Sequence, residues 1–393
     1  MKMCIIHNRY QCPGGEDAVV ASESELLMSK GHEVRVMYMD NTGIKGLRET
    51  LRTAWRAPYS EASRDWAART IADFGPDIVH VHNFFPLLTP SVYDACRDMG
   101  VEVVQTLHNY RAICPGAFLM RDGAVCEECI GGSAYRGALH GCYRGSRLGS
   151  LAVARMVEYH KEHKTWQDKV DMFIALTGFA RSKFITAGFP PEKITVKPNF
   201  VPDPYPRSRP PDAGHGALYI GRLSREKGID TLVKAWDGIG VPLNVLGDGP
   251  MMKHLLKTRP PGIRLFGHVS PAAVSAAMEK ASFLVMPSRW YEGFPMVLLE
   301  AFAHGLPVIA SRLGGMAEIV KDGVTGLHFS PGDWRDLAAK ARWAAANPAA
   351  MGRMGEKARA VYREKYTPGV NYRALIGIYE GLLTRYTPVL AAA

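Results

Sequence analysis

Hydrophobic positions along the chain cluster into short β-rich runs, and helix-like stretches of mixed polarity separate one run from the next. The runs form two series, one at 3–7, 33–39, 77–82, 101–107 and 171–176, the other at 217–220, 242–246, 263–266, 282–286 and 307–310. Their apolar residues do not alternate strictly with polar ones, which is typical of parallel strands covered on both faces. The pattern predicts an α/β protein with two doubly wound sheets joined by short, right-handed crossovers.

A proline-rich stretch separates the two series. Residues 197–214 contain six prolines, a composition that is stiff and cannot pair into a sheet. We therefore expect two Rossmann-like domains, at 1–205 and 206–365, facing each other across a cleft. The final segment, 366–393, has a helical pattern from Tyr366 to Tyr386 and is expected to cross back to the first domain.

The positive charge of the chain is concentrated in its second half. Residues 1–205 contain 24 basic and 23 acidic residues and residues 206–393 contain 24 and 15, so the net charge of +10 divides into +1 and +9. This asymmetry predicts a small polyanionic ligand in the second half, although charge for solubility alone would also produce it. Nucleic acid is not expected as a partner, because no arginine-rich tract or RNA-binding signature occurs.

Length and composition limit the class of protein further. With 393 residues, 47% of them hydrophobic and 22% charged, the chain is expected to fold into packed domains rather than to stay disordered. No apolar run reaches about 18 residues, so no membrane span is predicted. The first ten residues have too few apolar positions for a signal peptide, and a cytoplasmic location is therefore the expectation.

The most informative segment of the second half extends from Ser288 to Glu300. Pro295 suits the first turn of a helix, which puts Glu292 in the loop facing the helix N-terminus and Glu300 inside the helix. The positive end of that helix attracts anions, and the Glu300 carboxylate can accept paired hydrogen bonds from vicinal ribose hydroxyls. Two glutamates at this spacing also occur by chance on a solvated helix.

Glycine-rich turns follow several strands of the second series. Gly221 to Gly228 comes directly after the strand at 217–220, and within it Arg222 and Lys227 are placed to neutralise a diphosphate without a metal ion. Similar turns follow at Gly247 and Gly314, where backbone N–H groups can approach a phosphate closely. Each turn alone is equally well an ordinary strand-to-helix connection.

Polar residues also follow the strands of the first series. Gly14 and Gly15 lie between the first strand and a helix, and the pairs His82-Asn83 and His108-Asn109 each end a predicted strand. Strand carboxyl ends are where open α/β sheets build their sites. An ordinary glycine turn and strand-capping histidines are the alternatives.

Four cysteines have a spacing compatible with a structural metal site. Cys114, Cys126, Cys129 and Cys142 form a C-x11-C-x2-C-x12-C pattern, which predicts a tetrahedral zinc site that braces the excursion at 109–150. Packing cysteines without a metal are the alternative.

A basic amphipathic stretch extends from Tyr135 to Lys169. Its basic residues alternate with apolar ones, namely Arg136, Arg144, Arg147, Arg155, Lys161 and Lys164 with Leu148, Leu151, Val153 and Met156. The pattern predicts peripheral contact with an anionic membrane surface. An ordinary surface helix with a solvated basic face would also produce it.

The motifs together carry a family resemblance. The series GRLSREKG (221–228), GDGP (247–250), EGFPMVLLE (292–300) and GLPVIASRLGGMAEIVKDGVTGLHF (305–329) resembles the retaining glycosyltransferases of family 4, which have the GT-B fold. The resemblance covers nearly the whole chain. It implies transfer of a sugar from a nucleotide-diphosphate donor to a glycan or lipid-linked acceptor, in surface polysaccharide or glycolipid synthesis. The lack of a D-x-D triplet fits the metal-independent character that the resemblance implies, with no cofactor for catalysis.

The resemblance also implies roles for individual residues. The predicted catalytic residues are His108, Glu292, Arg222 and Lys227. The donor side would comprise Gly14, Gly15, Gly221, Arg222, Lys227, Gly247, His268, Val269, Glu292, Gly293, Phe294, Pro295 and Glu300. Among these, Glu300 would hold the ribose, Arg222 and Lys227 the diphosphate, and the backbone at 267–269 would lie beside the base. His82, Asn83 and Asn109 would lie on the acceptor side, and His108 against the transferred sugar.

Other functions stay open on the same scaffold. They are a nucleotide-sugar epimerase, a phosphorylase, and a non-catalytic nucleotide-sugar-binding protein. The sequence does not determine the base, the sugar, the acceptor, the linkage or the oligomeric state.

Overall fold

The computed structural model describes residues 1–10, 14–204 and 214–384, which form two compact units. One unit comprises residues 1–119, 127–198 and the chain from Asn371, and the other comprises 120–126 and 199–370. Residues 205–213 of the proline-rich stretch, and Tyr386 of the last predicted helix, lie outside the described residues. Within the described ranges, no helix is both long and apolar enough to cross a lipid bilayer.

Strands and helices alternate in both units. The strands are β1 (Lys2–Arg9), β2 (Glu33–Asp40), β3 (Ile78–Asn83), β4 (Glu102–Leu107), β5 (Met120–Arg121), β6 (Ala124–Val125), β7 (Met172–Ala175), β8 (Ile194–Val196), β9 (Ala217–Ile220), β10 (Leu243–Leu246), β11 (Ile263–Gly267), β12 (Phe283–Met286), β13 (Val308–Ser311) and β14 (Gly326–Phe329). The helices are α1 (Gly15–Ser29), α2 (Gly46–Arg56), α3 (Glu61–Phe74), α4 (Val92–Asp98), α5 (Tyr135–His140), α6 (Arg147–Glu162), α7 (Thr165–Asp168), α8 (Gly178–Thr186), α9 (Ile229–Ala235), α10 (Met252–Thr258), α11 (Pro271–Lys280), α12 (Met296–Ala303), α13 (Gly314–Ile319), α14 (Trp334–Ala346), α15 (Pro348–Lys365) and α16 (Pro368–Leu383).

The predicted pair of parallel sheets is confirmed. The first sheet has the order β2-β1-β3-β4-β7-β8, and the second has the order β11-β10-β9-β12-β13-β14. Every neighbouring pair in both sheets is parallel. The sequence pattern missed the last strand of each sheet, β8 and β14. It also missed the short β5–β6 hairpin, which pairs antiparallel.

Strand order creates a topological switch point in each sheet. In the first sheet β1 lies between β2 and β3, and in the second sheet β9 lies between β10 and β12. The connections on the two sides of such a point leave the sheet in opposite directions, which opens a crevice at the carboxyl ends of the strands. The crevices are therefore expected after β1 and β3 in one unit and after β9 and β12 in the other.

Apolar strand residues form the core of each unit. In the first, Met3, Ile5, Ile78, Val104 and Ile174 pack with Leu375, Ile376, Tyr379 and Leu382 of α16. In the second, separate clusters cover the two faces of the sheet, one including Trp236 and Phe283 and the other including Phe302 and Tyr362. Burial of these side chains, worth about 1.5–3 kcal/mol for each large apolar residue, fixes the strands that carry the polar residues described next.

Candidate functional site

The carboxyl edge of the second sheet gathers most of the predicted donor residues. Gly221 and Arg222 follow β9, Gly247 follows β10, His268 follows β11, and Glu292 lies in the loop after β12. Because these four parallel strands are neighbours in the order β11-β10-β9-β12, their carboxyl ends share one edge. Segments that are as much as 71 positions apart in sequence thus reach the same side of the unit.

Tight backbone contacts hold two of these turns in place. Gly228 has a φ of +73°, and a Cβ at this position would overlap the carbonyl oxygen of Pro287. Gly247 has a φ of +133°, and a Cβ there would overlap the carbonyl oxygen of Gly221. Only glycine adopts these conformations readily without a clash. The contact at Gly228 brings the turn that contains Lys227 against the segment that leads from β12 into the Glu292 loop.

Glu292 is the most heavily hydrogen-bonded acid of this edge. Lys227 Nζ donates to Glu292 Oε1 at 2.8 Å and to Oε2 at 3.0 Å. Ser288 Oγ and Trp290 Nε1 donate to Glu292 Oε1 at 2.6 and 2.9 Å. Only 5% of Glu292 is exposed, so these donors replace the water that a buried carboxylate loses. Sequence analysis did not assign Ser288 or Trp290, although both lie in the segment that it singled out.

Glu300 has a different environment on α12. No described residue donates a hydrogen bond to its carboxylate, and burial raises the pKa of that carboxyl group above its ordinary value. Pro295 is the N-cap residue, one position before the helix, rather than within the first turn. A partly buried carboxylate without a donor is costly in the unliganded protein, and hydroxyl groups of a ligand would relieve that cost.

The other predicted donor residues surround this edge. Arg222 is exposed, and none of the described acidic residues forms an ion pair with it. Its carbonyl oxygen accepts a hydrogen bond from Tyr219 Oη at 3.0 Å. His268 is exposed, whereas Val269 packs against the apolar cluster under α12. Phe294 also packs on that cluster, and its ring meets Tyr366 edge-on at 6.3 Å.

The first sheet carries a group of buried histidines at its carboxyl edge. His82 Nδ1 and His108 Nε2 lie 2.9 Å apart, and the two rings stack with centroids 5.1 Å apart. Inside β3, His80 forms hydrogen bonds with Tyr379 Oη and Thr106 Oγ1, each at 2.7 Å. His80 therefore packs within the fold.

Burial keeps these histidines uncharged near neutral pH. Desolvation lowers the pKa of His108 to about 3 and lowers those of His80 and His82 well below the ordinary value, with nearby positive charge adding to the effect. A neutral imidazole can donate or accept a hydrogen bond but carries no fixed charge. His108 can therefore take part in polar recognition but not as a permanent cation.

A buried ion pair that sequence analysis missed lies beside the histidines. Lys197 Nζ donates to Glu23 Oε1 at 3.0 Å, and both side chains are almost fully buried. Glu23 Oε2 is 4.0 Å from His82 Nε2, which has no hydrogen-bond partner among the described residues. Glu23 lies in α1 and Lys197 directly follows β8, so no local pattern connects the two.

The Gly14-Gly15 turn is fixed by the acids that follow it. Asp17 accepts from the Gly14 backbone N–H at 2.7 Å and is 2.9 Å from His7 Nε2. Glu16 accepts from Asn109 Nδ2 at 2.8 Å and from Tyr10 Oη at 2.9 Å. Burial raises the pKa of Glu16. The turn after β1 is thereby tied to the end of β4, where Asn109 lies.

Asn83 and Asn109 are already engaged with the protein. Asn83 Nδ2 donates to the Asn8 carbonyl at 2.8 Å, and its Oδ1 accepts from the Phe85 N–H at 3.0 Å. Asn109 donates to Glu16, and its Oδ1 accepts from the Arg111 N–H at 2.9 Å. Both side chains brace loops at the carboxyl edge of the sheet in this structure.

The predicted zinc site has no counterpart among the described residues. Across the described ranges, which contain all four cysteines in question, no three His, Cys, Asp or Glu side chains are grouped so that they could hold a metal ion. A C-x2-C spacing brings only Cys126 and Cys129 together locally. Cys114 and Cys142 reach the same place only if the tertiary path returns them. The described residues therefore lend no support to the zinc site, which stays a prediction.

The predicted membrane-contact stretch divides between surface and core. It covers α5, α6 and α7, and Leu148 and Leu151 are 79% and 43% exposed. Val153 and Met156 are buried, which corrects their assignment to the amphipathic surface. They lie on the face of α6 that packs into the first unit.

Two family models match this chain. The model described as Glycosyltransferase Family 4 matches residues 13–203. The model described as Glycosyl transferases group 1 matches residues 207–361. The two matches correspond to the two series of strands.

Individual proteins show similarity of different extents. An uncharacterized glycosyltransferase of Methanocaldococcus jannaschii is 40% identical over 127 residues, which are 31% of this chain and 36% of that protein. The chain thus spans only about a third of this relative's length. A phosphatidyl-myo-inositol mannosyltransferase of Mycobacterium leprae is 25% identical over 351 residues, or 84% of this chain and 83% of the relative.

A solved structure shares the architecture. The crystal structure of HepE from Anabaena, in complex with UDP-glucose, covers 97% of this chain and 100% of its own with a TM-score of 0.68. The sequence identity is 16%, so the likeness shows a common fold.

Proposed function

The chain belongs to the glycosyltransferases of the GT-B fold, and on that premise we propose that it transfers a sugar from a nucleotide-diphosphate donor with retention of anomeric configuration. The acceptor is a glycan or a lipid-linked glycan, in surface polysaccharide or glycolipid synthesis. The observation that carries the proposal is the carboxyl edge of the second sheet. Three features lie there, after or near β9 and β12. They are the Lys227–Glu292 pair, the exposed Arg222, and the Glu300 carboxylate, to which no described residue donates a hydrogen bond.

Glu300 is the proposed ribose-binding residue. Its carboxylate has two oxygens that can each accept a hydrogen bond from a vicinal hydroxyl. The protein supplies no donor of its own among the described residues, and burial has already removed part of the water. The gain on binding a diol at this place is therefore larger than it would be for an exposed acid.

Arg222 and Lys227 are the proposed partners of the diphosphate. Lys227 uses two of its three N–H donors on Glu292, which leaves one for a phosphate oxygen. Arg222, at the end of β9, offers a planar guanidinium suited to phosphate. Glu292 would fix the position of Lys227 and, with Gly293, Phe294 and Pro295, line the transferred sugar.

The reaction that we propose breaks the bond between the anomeric carbon and the diphosphate oxygen and forms a bond from that carbon to an acceptor hydroxyl oxygen. The hydroxyl proton passes to the departing phosphate. The two cations stabilise the negative charge that grows on the leaving group, so the scheme requires no resident metal ion. Neutral His108 would hydrogen bond to the transferred sugar.

Location and membrane contact follow from the acceptor class. A lipid-linked acceptor would require the protein to work at the cytoplasmic face of a membrane, and we propose peripheral contact of that kind. The exposed part of the Tyr135–Lys169 stretch, with Leu148 and Leu151, supports it.

The proposal is tested by nucleotide binding to the Glu300→Ala variant. Calorimetry with UDP, GDP and ADP first identifies the nucleotide that binds the unaltered protein. Loss of the two hydrogen bonds to ribose should then weaken binding by about 1–3 kcal/mol. The matched control is Glu356→Ala, an exposed glutamate on α15, which should bind like the unaltered protein. Equal affinity of the Glu300→Ala variant would refute the ribose role.

Transfer itself is tested with the corresponding nucleotide sugar and a glycan acceptor. Release of nucleoside diphosphate that depends on acceptor supports a transferase. Epimerised donor without acceptor, or product formed only with inorganic phosphate, would instead indicate an epimerase or a phosphorylase.

A further inference from the structure

Helix α2 of the first unit presents an apolar stripe that the fold does not use. Leu47, Leu51 and Trp55 are 75%, 59% and 73% exposed, and none of the eleven residues of the helix is buried. The three side chains recur every fourth residue, so they form one stripe along the helix. Single exposed apolar residues are common on protein surfaces, but a continuous stripe of two leucines and a tryptophan indicates a binding function.

Basic residues border this stripe on one side. Arg48, Arg52 and Arg56 are all exposed and follow at the same four-residue spacing. On a helical projection they occupy the sector next to Trp55. Glu49 is the single acid of the helix and lies 3.9 Å from Arg52. The helix therefore has an apolar stripe, a row of arginines beside that stripe, and a third side that faces the protein.

Helix α6 extends the same surface. Arg155 lies with its guanidinium carbon 4.9 Å from the centre of the Trp55 ring, and α2 packs on α6. Leu148 and Leu151, exposed by 79% and 43%, lie on the same face of α6 as Arg155. We call the set Leu47, Leu51, Trp55, Leu148 and Leu151 the amphipathic face.

We infer that the amphipathic face docks the protein on an anionic lipid surface, with α2 as the element that enters the headgroup region. The distribution of charge identifies the occupant. Leucine and tryptophan at the centre with arginine at the margin match the boundary between acyl chains and anionic headgroups, where tryptophan rings and arginine are both favoured. A surface that binds a second copy of this chain would bring the same arginines together, which like-charge repulsion opposes.

The inference rests on the peripheral membrane contact of the proposed function and deepens it, because it names the helix that makes the contact. Sequence analysis placed membrane contact in residues 135–169, and it did not identify α2. We place the principal contact at Leu47, Leu51 and Trp55, because each of them is more than half exposed whereas Val153 and Met156 of the earlier stretch are buried.

The test is co-sedimentation of the full chain with vesicles, in the absence of donor and acceptor. Vesicles of phosphatidylcholine with about a third phosphatidylglycerol should bind the protein, and vesicles of phosphatidylcholine alone should bind it much less, since each arginine near an anionic surface contributes about fivefold in partitioning. High salt should reduce binding to the anionic vesicles, because it screens exposed charges.

Two variants locate the contact. Leu51→Glu should reduce partitioning to anionic vesicles by about tenfold or more, the effect of losing one inserted leucine. Its matched control is Leu256→Glu on α10 of the other unit, which is 57% exposed and should bind vesicles like the unaltered protein. The double variant Arg48→Gln, Arg52→Gln should bind anionic vesicles more weakly and with a smaller dependence on salt. The double variant Arg342→Gln, Arg353→Gln makes an equal change of charge elsewhere, and it should leave vesicle binding and its salt dependence unaltered.

Three outcomes would overturn the inference. They are no sedimentation of the unaltered protein with anionic vesicles, equal binding by the Leu51→Glu and Leu256→Glu variants, and a dimer in analytical ultracentrifugation that Leu51→Glu dissociates. Thermal unfolding of Leu51→Glu should match that of the unaltered protein because α2 buries none of its residues. Nucleotide binding by this variant should also be unchanged, so failure of the membrane inference and failure of the transferase proposal give different results.

Discussion

The ammonium group of Lys227 lies 2.8 and 3.0 Å from the two carboxylate oxygens of Glu292, a residue 65 positions further along the chain. The pair forms because β9 and β12 are neighbours in the second sheet, although β10 and β11 intervene in sequence. Ser288 and Trp290 hydrogen bond to the same carboxylate. The arrangement fixes a cation at the switch point of the sheet before any ligand arrives.

Removing the cation of this pair should affect both stability and turnover. Lys227→Met removes two of the hydrogen bonds to the buried Glu292 carboxylate. The free energy of unfolding should therefore fall by about 1–3 kcal/mol. The rate of sugar transfer should fall as well, because a cation is lost from the leaving group. Urea unfolding and a nucleotide-release assay measure the two effects.

A double-mutant cycle separates the pair from its surroundings. Lys227→Met combined with Glu292→Gln should be less destabilised than the sum of the single variants, since neither charge is then left without its partner. Lys253→Met, at an exposed lysine on α10, is the control. Strict additivity of the two single effects would contradict a direct interaction.

The turn that holds Lys227 should tolerate no side chain at Gly228. A Cβ there overlaps the Pro287 carbonyl oxygen in addition to the strain of a φ of +73°. Gly228→Ala should therefore cost clearly more than the roughly 1–2 kcal/mol of a left-handed alanine, and it should weaken nucleotide binding. Gly262→Ala is matched in conformation, with a φ of +91° and nothing within 4 Å. If both variants unfold at the same urea concentration, the close contact at Gly228 has no energetic role.

Stability of the first unit should decrease as pH falls below the ordinary histidine pKa. His80, His82 and His108 have lowered pKa values in the folded protein, that of His108 about 3. The unfolded chain takes up protons below pH ~6.5 and the folded chain does not, so their stabilising contribution is complete above that pH and is lost below it. Each histidine should contribute a slope of up to about 1.4 kcal/mol per pH unit.

Urea unfolding at a series of pH values checks this slope. His108→Gln should reduce it, and His254→Gln, at an exposed histidine on α10, should not. Because His108 stays neutral, it should add no titration step to the pH profile of sugar transfer between pH 6 and 8. The pH profiles of the unaltered protein and of His108→Gln should therefore have the same shape. A titration step that disappears in that variant would show that His108 ionises in the working enzyme.

The packing of α16 within the first unit depends on a buried hydroxyl. Tyr379 Oη lies 2.7 Å from His80 Nδ1, and Tyr379→Phe would leave that nitrogen buried without its partner. The free energy of unfolding should fall by about 1–3 kcal/mol. Tyr372→Phe removes a hydrogen bond of 2.9 Å to His32, which is only partly buried, and should cost less. A smaller effect for Tyr379→Phe than for Tyr372→Phe would contradict the assigned importance of burial.

Local patterns in the sequence were sufficient to predict the class of fold. Apolar runs identified ten of the twelve strands of the two main sheets, and the glycine turns after β9 and β10 were read from the chain alone. Hydrophobic periodicity and turn chemistry are local properties, so no knowledge of the tertiary structure is needed to detect them. Glu292, Lys227 and Arg222 were singled out for the same reason, since each follows a strand in a recognisable motif.

Contacts between distant segments were decided by the tertiary structure alone. Lys197 meets Glu23 across 174 positions, and Tyr379 meets His80 across 299. Nothing in either neighbourhood specifies the partner, because strand order and helix packing bring the segments together only after the sheet has formed. The same limit applies to the zinc prediction, because the four cysteines have a suitable spacing along the chain but the described residues contain no group of three or more metal ligands. It also explains why the sequence analysis did not identify α2. A stripe of leucine and tryptophan on a helix has the same sequence pattern whether it is buried or exposed, and only the folded unit shows which of the two it is.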